Sequence, residues 1–385
     1  MMKNADFLVI GGGITGAAIA YELQKQGHQV LLLEQAPQPR NATYYSYGGV
    51  PYWAGQQPWQ KQLCQEGRGL LNQLATELEG VTEYRELDLL LTLSPQDEPE
   101  PLAQNFQSCW IPPDYLTVDE AVAVEPLLNP EAIAGAFRVS HGHLHAEKTV
   151  HSYLQAFLRL GGKIVLEKVT NLLAAGETIQ GVRTTHQDYF ASQVILCAGG
   201  LNRALLQSYG VNLPLYFSQA FLLKTPPIHL TLKSLIMPAK FQRLTLEAQA
   251  HSLDWERVNN TVQREVLEPG AIQFLDRHCY LGQISQVVTN PDYQPSSTLL
   301  KQQLHQAIAH LLPAFAEIPT ELCHCLVAFS GSPKPLMGPA ANWAGLQLFT
   351  GFSSTILYAP ILARHFAQWL TTERDPLLQS WFQAS

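Results

Sequence analysis

Residues 7–34 read FLVIGGGITGAAIAYELQKQGHQVLLLE, and this stretch decides the fold class. The apolar run from Phe7 to Ile10 is typical of a buried parallel strand. Helical spacing of apolar residues follows it up to Gly27, a residue type that often terminates a helix. A second apolar run from Val30 to Leu33 completes the order strand, helix, strand, which predicts a βαβ unit and a parallel sheet.

The turn between the first strand and the helix reads GGGITG and carries Gly11, Gly13 and Gly16 in the G-x-G-x-x-G spacing. In such turns the first glycine allows the tight bend, the second lets the backbone approach a pyrophosphate, and the third lets helix and strand pack closely. Glu34 ends the second strand, where a carboxylate can bind a ribose diol and disfavours a 2′-phosphate. Together these residues predict a dinucleotide site; the alternative is that the glycines serve only a turn and that Glu34 is merely solvated.

The composition favours a small-molecule partner. The chain has 385 residues, 46% of them hydrophobic, with a formal net charge of -8, which suggests two domains and gives no electrostatic reason to expect nucleic acid. Its six cysteines form no CxxC pair, so we expect free thiols and a cytoplasmic protein. No apolar stretch reaches about 18 residues, so no transmembrane segment is predicted.

Further along, the stretch ILCAGG at 195–200 is again an apolar strand ending in small residues. With the opening block, it resembles the FAD-dependent oxidoreductases of the D-amino-acid oxidase superfamily, the group that includes glycine oxidase and monomeric sarcosine oxidase. The stretches ATYYSYGGV at 42–50, TVDEAVAVEPLL at 117–128 and LQLFTGFSSTILYAP at 346–360 are also similar to segments of that family. The resemblance covers nearly the whole chain.

The resemblance implies an α/β fold in which a Rossmann-like FAD-binding domain is joined to a second, mainly antiparallel β substrate domain. Residues 216–290 agree with it, because their alternating patterns, QRLTLEA at 242–248 among them, predict antiparallel strands. We expect both domains to be discontinuous. The predicted FAD-binding domain comprises 1–80, 141–215 and 321–385, and the predicted substrate domain comprises 81–140 and 216–320.

The resemblance also implies FAD as the cofactor and contacts to it at five places. These are the glycine turn and helix start at 11–16, the end of the second strand at 34–35, the early loop at 43–49, the middle strands at 169 and 198–200, and the final turn at 351–356. A helix beginning at that final turn would stabilise negative charge on the reduced flavin. The implied cofactor-binding residues are Gly11, Gly13, Ile14, Thr15, Gly16, Glu34, Gln35, Thr43, Ser46, Tyr47, Gly48, Gly49, Val169, Ala198, Gly199, Gly200, Gly351, Ser353, Ser354, Thr355 and Ile356.

Two features of the cofactor site depart from the family or stay open. The family has glycines where this chain has Ser354 and Ile356, and Ile356 would be strained if its φ were positive. Cys325 aligns with the thiol that sarcosine oxidase-like proteins bond to their flavin. We expect non-covalent FAD, with a covalent link through Cys325 as the alternative.

The substrate clamps of the family are missing. Its amino-acid oxidases hold a carboxylate with cations, but the matching positions here are Pro51 and Tyr358, and the late strand LVAFSGSPKPLMG has no arginine. The sequence leaves the catalytic residues unknown, and no side-chain base is needed if an amine arrives neutral. Tyr52, Ser332, Lys334 and Tyr358 are the substrate-pocket candidates, and replacement cations could come from Lys334, Arg243, Lys240 or Arg277.

The histidines His141, His143 and His145 alternate along one stretch and could face a metal ion, but no supporting ligand pattern accompanies them, so no metal is expected. The functional prediction is therefore an FAD-dependent oxidoreductase that oxidises a C–N bond of an amine or amino-acid-like substrate by hydride transfer to flavin N5. Because Pro51 replaces a carboxylate-binding arginine, we expect a less anionic, bulky or aromatic substrate. The alternative is a flavin-binding protein without amino-acid oxidase activity, in a binding or regulatory role.

Overall fold

The computed structural model describes residues 5–38, 40–207, 209–255, 265–340 and 342–382. The strands are β1 (Ala5–Ile10), β2 (Val30–Glu34), β3 (Gly49–Val50), β4 (Arg85–Leu93), β5 (Asp114–Leu116), β6 (Gly135–His143), β7 (Lys163–Leu166), β8 (Val169–Ala175), β9 (Thr178–Thr184), β10 (Asp188–Leu196), β11 (Leu215–Lys224), β12 (Leu235–Pro238), β13 (Val266–Leu267), β14 (Ala271–Gln273), β15 (Cys279–Val287), β16 (Glu321–Ser330), β17 (Leu336–Pro339) and β18 (Leu346–Thr350). The helices are α1 (Ile14–Lys25), α2 (Pro58–Glu77), α3 (Pro99–Gln104), α4 (Val118–Val124), α5 (Ala146–Arg159), α6 (Asn202–Gln207), α7 (Gln242–Gln249), α8 (Ser297–Leu311), α9 (Thr355–Thr372) and α10 (Pro376–Phe382).

The first sheet has the strand order β17-β18-β10-β1-β2-β7, and the strands from β18 to β7 are parallel. The βαβ unit predicted from the opening stretch is confirmed, with Phe7 opposite Val30 in the register of β1 and β2. Because parallel strands end at the same edge of a sheet, this order brings together the turns that follow β1, β10 and β18 and the end of β2. Four separated segments of the sequence thus meet at one edge.

The second sheet has the order β16-β11-β15-β14-β12-β4-β6-β3 and is antiparallel except where β12 runs parallel to β4. The mixed α/β fold with a second, mainly antiparallel sheet is therefore confirmed. Strand β16 pairs with β11 along its whole length, so it belongs to this sheet although residues 321–385 were assigned to the FAD-binding domain. The domain boundaries themselves stay a prediction.

One predicted strand is wrong, since residues 242–248 form most of helix α7. The alternation of Leu244 and Leu246 looked like a strand, but only Leu246 is buried, whereas Leu244 is 46% exposed. Arg243 and Glu247 are four residues apart and form an ion pair, which stabilises a helix. Most residues of this segment are also good helix formers, and that tendency decides the outcome.

An ionic network centred on the buried Glu22 connects helices α1, α2 and α9. Arg364 of α9 donates from Nε to Glu22 Oε1 of α1 at 3.1 Å and from Nη2 to Glu77 Oε2 of α2 at 2.6 Å. Lys25 donates to the other oxygen of Glu77 at 2.8 Å. The Glu22 side chain is only 4% exposed, and its burial raises the pKa of the carboxyl, an effect that Arg364 opposes. The network holds α1 and α9, whose N-termini both lie at the carboxyl edge of the first sheet, in a fixed relation.

Within the described ranges, no helix combines the length and the apolar character needed to cross a membrane.

Candidate active site

The glycine turn after β1 has the geometry that a pyrophosphate requires. Gly11 has φ +103°, which favours glycine, and a Cβ on Gly16 would lie 1.8 Å from the carbonyl oxygen of Gly11. Helix α1 therefore approaches β1 as closely as the backbone allows. The N–H groups of Gly13, Thr15 and Gly16 have no acceptor among the described residues, so the start of α1 offers free donors and a partial positive charge. The glycine turn and the N-terminus of α1 therefore have the geometry and charge that suit the pyrophosphate of a dinucleotide.

Glu34 lies beside the same turn. Its Oε2 accepts the N–H of Gly12 at 2.7 Å, and its Oε1 accepts the N–H of Ala36 at 3.1 Å. The carboxylate is therefore oriented by the backbone at the place where the sequence predicts a ribose contact, and Gln35 follows it in an exposed position. The role of Glu34 in binding a ribose remains a prediction, and the position of its carboxylate is compatible with that role.

The turn after β10 meets the glycine turn directly. The Ala198 N–H donates to Asn202 Oδ1 at 3.0 Å, Gly199 has φ +56°, and a Cβ on Gly11 would lie 3.0 Å from the Cα of Ala198. Ala198, Gly199 and Gly200 are thus brought to the predicted cofactor edge. Val169 begins β8, which joins the first sheet through β9.

A cavity of about 910 Å³ lies between the second sheet and the turns at the carboxyl edge of the first sheet. Its wall is built by the early loop, the faces of β11 and β16, helix α7 and the start of α9. The cofactor residues predicted from the early loop and the final turn therefore come together around one space. The predicted residues that line it are Ile14, Thr43, Ser46, Tyr47, Gly49, Ser353, Ser354, Thr355 and Ile356, together with Cys325 and Tyr358.

Of the four substrate-pocket candidates, only Tyr358 belongs to the lining among the residues that the structure describes. Tyr52 is fully buried behind the wall, where its hydroxyl bonds to Ser140 Oγ at 2.9 Å, and its neighbour Trp53 takes the place facing the cavity. Ser332 and Lys334 lie in the turn after β16, outside the lining, with Lys334 Nζ 5.0 Å from the centre of the Trp381 ring.

The cavity wall is rich in aromatic rings. Phe329 of β16 lies on the late strand where the sequence lacks an arginine, and its ring is part of the lining. Cys325 of the same strand also lines the cavity, and burial raises the pKa of its thiol to about 12, so little thiolate forms near neutral pH. The other large aromatic side chains of the described lining are Tyr45, Tyr47, Trp53, Phe106, Phe241, Phe352 and Tyr358.

Four charged side chains belong to the described cavity lining: Lys240, Arg243, Glu247 and Glu268. The sequence pointed to the two cations but not to the two glutamates. Arg243 of α7 donates from Nη1 to Glu247 Oε1 at 3.0 Å, and its backbone N–H donates to Glu268 Oε1 at 3.0 Å. Lys240 also lines the cavity and forms an ion pair with Asp97. The spacing of Arg243 and Glu247 could have signalled the first pair, but Glu268 lies on the connection between β13 and β14, where no local pattern points to it.

Arg277 is not part of this wall. Its guanidinium donates to the carbonyl oxygens of Ile228 at 2.7 Å and His229 at 2.6 Å, so it supports a turn of the second sheet.

The three alternating histidines are buried and kept neutral. Trp53 Nε1 donates to His141 Nδ1 at 2.9 Å, and burial lowers the pKa of His141 to about 3. Burial also lowers the pKa values of His143 and His145, which pack against the ring of Phe274. In the part of the chain that the structure describes, no three His, Cys, Asp or Glu side chains are grouped to hold a metal ion.

In the final turn the residue with a strained, positive φ is Ser354, not Ile356. Ile356 lies in the first turn of α9 and has no positive φ, whereas Ser354, directly before the helix, has φ +49° and ψ +47°. Ser354 therefore occupies the left-handed region that glycine adopts without cost. Its side chain caps no N–H of the helix, so the serine gains no compensating hydrogen bond there.

We expect Ser354→Gly to raise the free energy of unfolding by up to about 1 kcal/mol, because the left-handed strain disappears. Urea unfolding at fixed FAD concentration measures the change. Ser353→Gly is the matched control: Ser353 does not have a positive φ, so the added flexibility should lower stability slightly. A loss of stability in Ser354→Gly equal to that of the control would contradict this account.

Residues 6–369 match the family model for FAD dependent oxidoreductases named DAO. Subunit A1 of the anaerobic glycerol-3-phosphate dehydrogenase of Haloferax volcanii is 29% identical over 195 residues, which are 49% of this chain and 32% of that protein. Glycine oxidase of Pseudomonas aeruginosa is 24% identical over 388 residues, which cover 96% of each chain. The chain thus spans about a third of the first relative and nearly all of the second.

The crystal structure of glycine oxidase from Geobacillus kaustophilus has a TM-score of 0.80 to this structure at 19% identity, covering 97% of this chain and 95% of that one. It shares the arrangement of two sheets. The family match extends over most of the sequence and agrees with the glycine turn, the oriented carboxylate and the cavity. FAD is therefore the cofactor, and this chain belongs to the DAO family of FAD-dependent oxidoreductases.

Proposed function

We propose that this oxidoreductase oxidises the C–N bond of a bulky, aromatic amine that carries no carboxylate. Bound FAD supplies the acceptor, at N5, for the hydride that leaves the substrate carbon. The observation that carries the proposal is the state of the cations in the cavity, each of which already has a carboxylate partner.

A substrate carboxylate would find no free cation in the described lining. Lys240 is engaged by Asp97 and Arg243 by Glu247, and Glu268 adds a further negative charge. An anionic substrate would have to displace one of these partners and lie close to another carboxylate, and both steps are unfavourable in a partly buried site. An amine without a carboxylate meets neither obstacle.

The aromatic wall favours a bulky substrate. Phe329, Phe241 and Trp53 offer flat apolar faces in a cavity of about 910 Å³, which is ample for an aromatic ring beside the cofactor. Oxidation at a C–N bond is supported by the glycine oxidase of Pseudomonas aeruginosa, which this chain matches over 96% of both lengths.

The residues of this chain then act by binding and orientation. The N-terminus of α9 places its free N–H groups at the cavity, where a positive partial charge stabilises developing negative charge. Tyr358, whose hydroxyl lies 3.5 Å from Cys64 Sγ, closes one side and helps to exclude water. No side-chain base takes part, because a neutral amine needs none.

The test is anaerobic reduction of the purified, FAD-loaded protein by candidate substrates. The rate is measured from the loss of the visible flavin absorbance. We expect benzylamine and N-methylbenzylamine to bleach the flavin at least tenfold faster than glycine and sarcosine at equal concentration. Reduction by glycine or sarcosine at comparable rates would overturn the substrate class. A yellow protein that no amine or amino acid reduces would instead favour the flavin-binding role without amine oxidation.

A further inference from the structure

We infer that Glu268 binds a cationic group of the substrate other than the nitrogen that is oxidised, so that the cavity prefers a ligand with a positive charge over one with a carboxylate. This inference deepens the proposed function and names the charge of the molecule that the cavity takes. Glu268 lies on the connection between β13 and β14 and belongs to the cavity wall. It comes from the second sheet.

The Glu268 carboxylate is buried, and no side-chain cation among the described residues is bonded to it. The residue is 8% exposed, and its Oε1 accepts the backbone N–H of Arg243 at 3.0 Å. The backbone of Gln242 gives the carboxyl a second hydrogen bond, which lowers its pKa, but burial has the larger effect and raises the pKa of Glu268. A buried carboxylate without a bonded cation is costly, and a cationic ligand would reduce that cost.

The charges around Glu268 leave one negative charge uncompensated. The guanidinium of Arg243 is bonded to Glu247, which also accepts the Ser218 hydroxyl at 3.2 Å, so one positive charge serves two carboxylates. The positive charge of Lys240 is engaged by Asp97. A cation in the cavity would balance the charge, whereas an anion would increase the imbalance.

Nearby groups strengthen this preference. The hydroxyl of Tyr47 donates to the carbonyl oxygen of Gly282, so its proton is not available to Glu268. His141 also lines the cavity and stays uncharged, because burial lowers its pKa to about 3. Phe241 and Phe329 line the same space, and aromatic rings can attract a cation in addition to Glu268.

The experiment is calorimetric titration of the FAD-loaded protein with three small aromatic probes that differ in charge. Phenyltrimethylammonium is the cation, benzyl alcohol the neutral probe and benzoate the anion. We expect phenyltrimethylammonium to bind at least tenfold more tightly than benzoate. Glu268→Gln should remove most of that difference by weakening the cation about tenfold or more, with little effect on benzyl alcohol.

Glu265→Gln is the matched control, since Glu265 is exposed, three residues away and outside the described cavity lining. It removes the same charge and should leave all three affinities unchanged. Equal FAD content and melting temperature in both variants exclude an effect on folding. Tighter binding of benzoate than of the cation, or an unchanged preference in Glu268→Gln, would overturn the inference.

The result does not depend on oxidation of any substrate. Phenyltrimethylammonium has no lone pair on nitrogen and cannot be oxidised to an imine, so its affinity reports on charge alone. A protein that binds the cation through Glu268 but oxidises no amine would therefore refute the proposed function and leave this inference standing.

Discussion

Gly16→Ala should abolish FAD binding and lower the free energy of unfolding by about 3 kcal/mol or more. The added methyl group would lie 1.8 Å from the carbonyl oxygen of Gly11 and 3.3 Å from Cys197 Cβ. Because the first of these atoms belongs to the backbone, no side-chain rotation relieves the clash. Helix α1 would have to move away from β1 and carry its free N–H groups out of position. The ratio of flavin to protein absorbance and urea unfolding of the apoprotein measure the two effects.

Gly69→Ala is the control for this substitution. Gly69 lies within α2, and nothing that the structure describes lies within 4 Å of a Cβ built there. Alanine in that open position should stabilise the helix by up to about 1 kcal/mol and leave FAD binding intact. If Gly16→Ala retained full FAD and wild-type stability, the close contact of α1 with β1 would be disproved.

Arg364→Met should lower the free energy of unfolding by about 3 kcal/mol at neutral pH, since the buried carboxylate of Glu22 loses its hydrogen-bonded cation and keeps only Lys25, 3.9 Å away. The Glu22 side chain is 4% exposed, and Arg364 lies 3.1 Å from it. Glu77 loses a partner as well but keeps Lys25 at 2.8 Å. Chemical denaturation between pH 4 and pH 8 measures the loss.

The pH dependence of this variant has a definite sign. Burial raises the pKa of Glu22 and Arg364 opposes that effect, so without the arginine the pKa rises further. A carboxyl whose folded pKa lies above its unfolded value of about 4.3 binds more protons when folded, and stability is then lost as pH rises through that interval. The deficit of Arg364→Met should therefore be small near pH 4 and grow toward neutrality. A deficit independent of pH would contradict it.

Two further variants separate burial from charge. The double variant Glu22→Gln/Arg364→Met buries no charge at this point and should recover most of the lost stability. Arg183→Met breaks the exposed pair of Arg183 with Asp188, 2.8 Å apart, and should have little effect on unfolding.

The sequence predicted best those features that are contiguous in the chain. The βαβ unit, the glycine turn and Glu34 all fall within one run of 28 residues, where spacing alone carries the geometry. Trp53 lines the cavity whereas Tyr52 does not, and the sequence could not distinguish them, because β3 is only two residues long and gives no alternation from which the inward face could be deduced. Ile356 was suspected of strain that Ser354 carries, because the helix start can only be located with the backbone in view.

The role proposed for Glu268 could not be predicted from the sequence. Its significance comes from Arg243, 25 residues earlier, and from a cavity lined by elements that are far apart in the sequence. Helix α7 was expected to be a strand, in which Arg243 and Glu247 would be about 13 Å apart and could not pair. The charge balance of the cavity became visible only once the helix and the β13–β14 connection were placed side by side.

The order of strands in the first sheet has a consequence for biosynthesis. Strand β1 leaves the ribosome before its neighbour β10, and β18 and α9 follow later still. The side of α1 that α9 covers therefore stays open until residues 355–372 have been synthesised. A chain truncated before β18 would retain the glycine turn but lack part of the first sheet, so we expect FAD to bind only after α9 has been made.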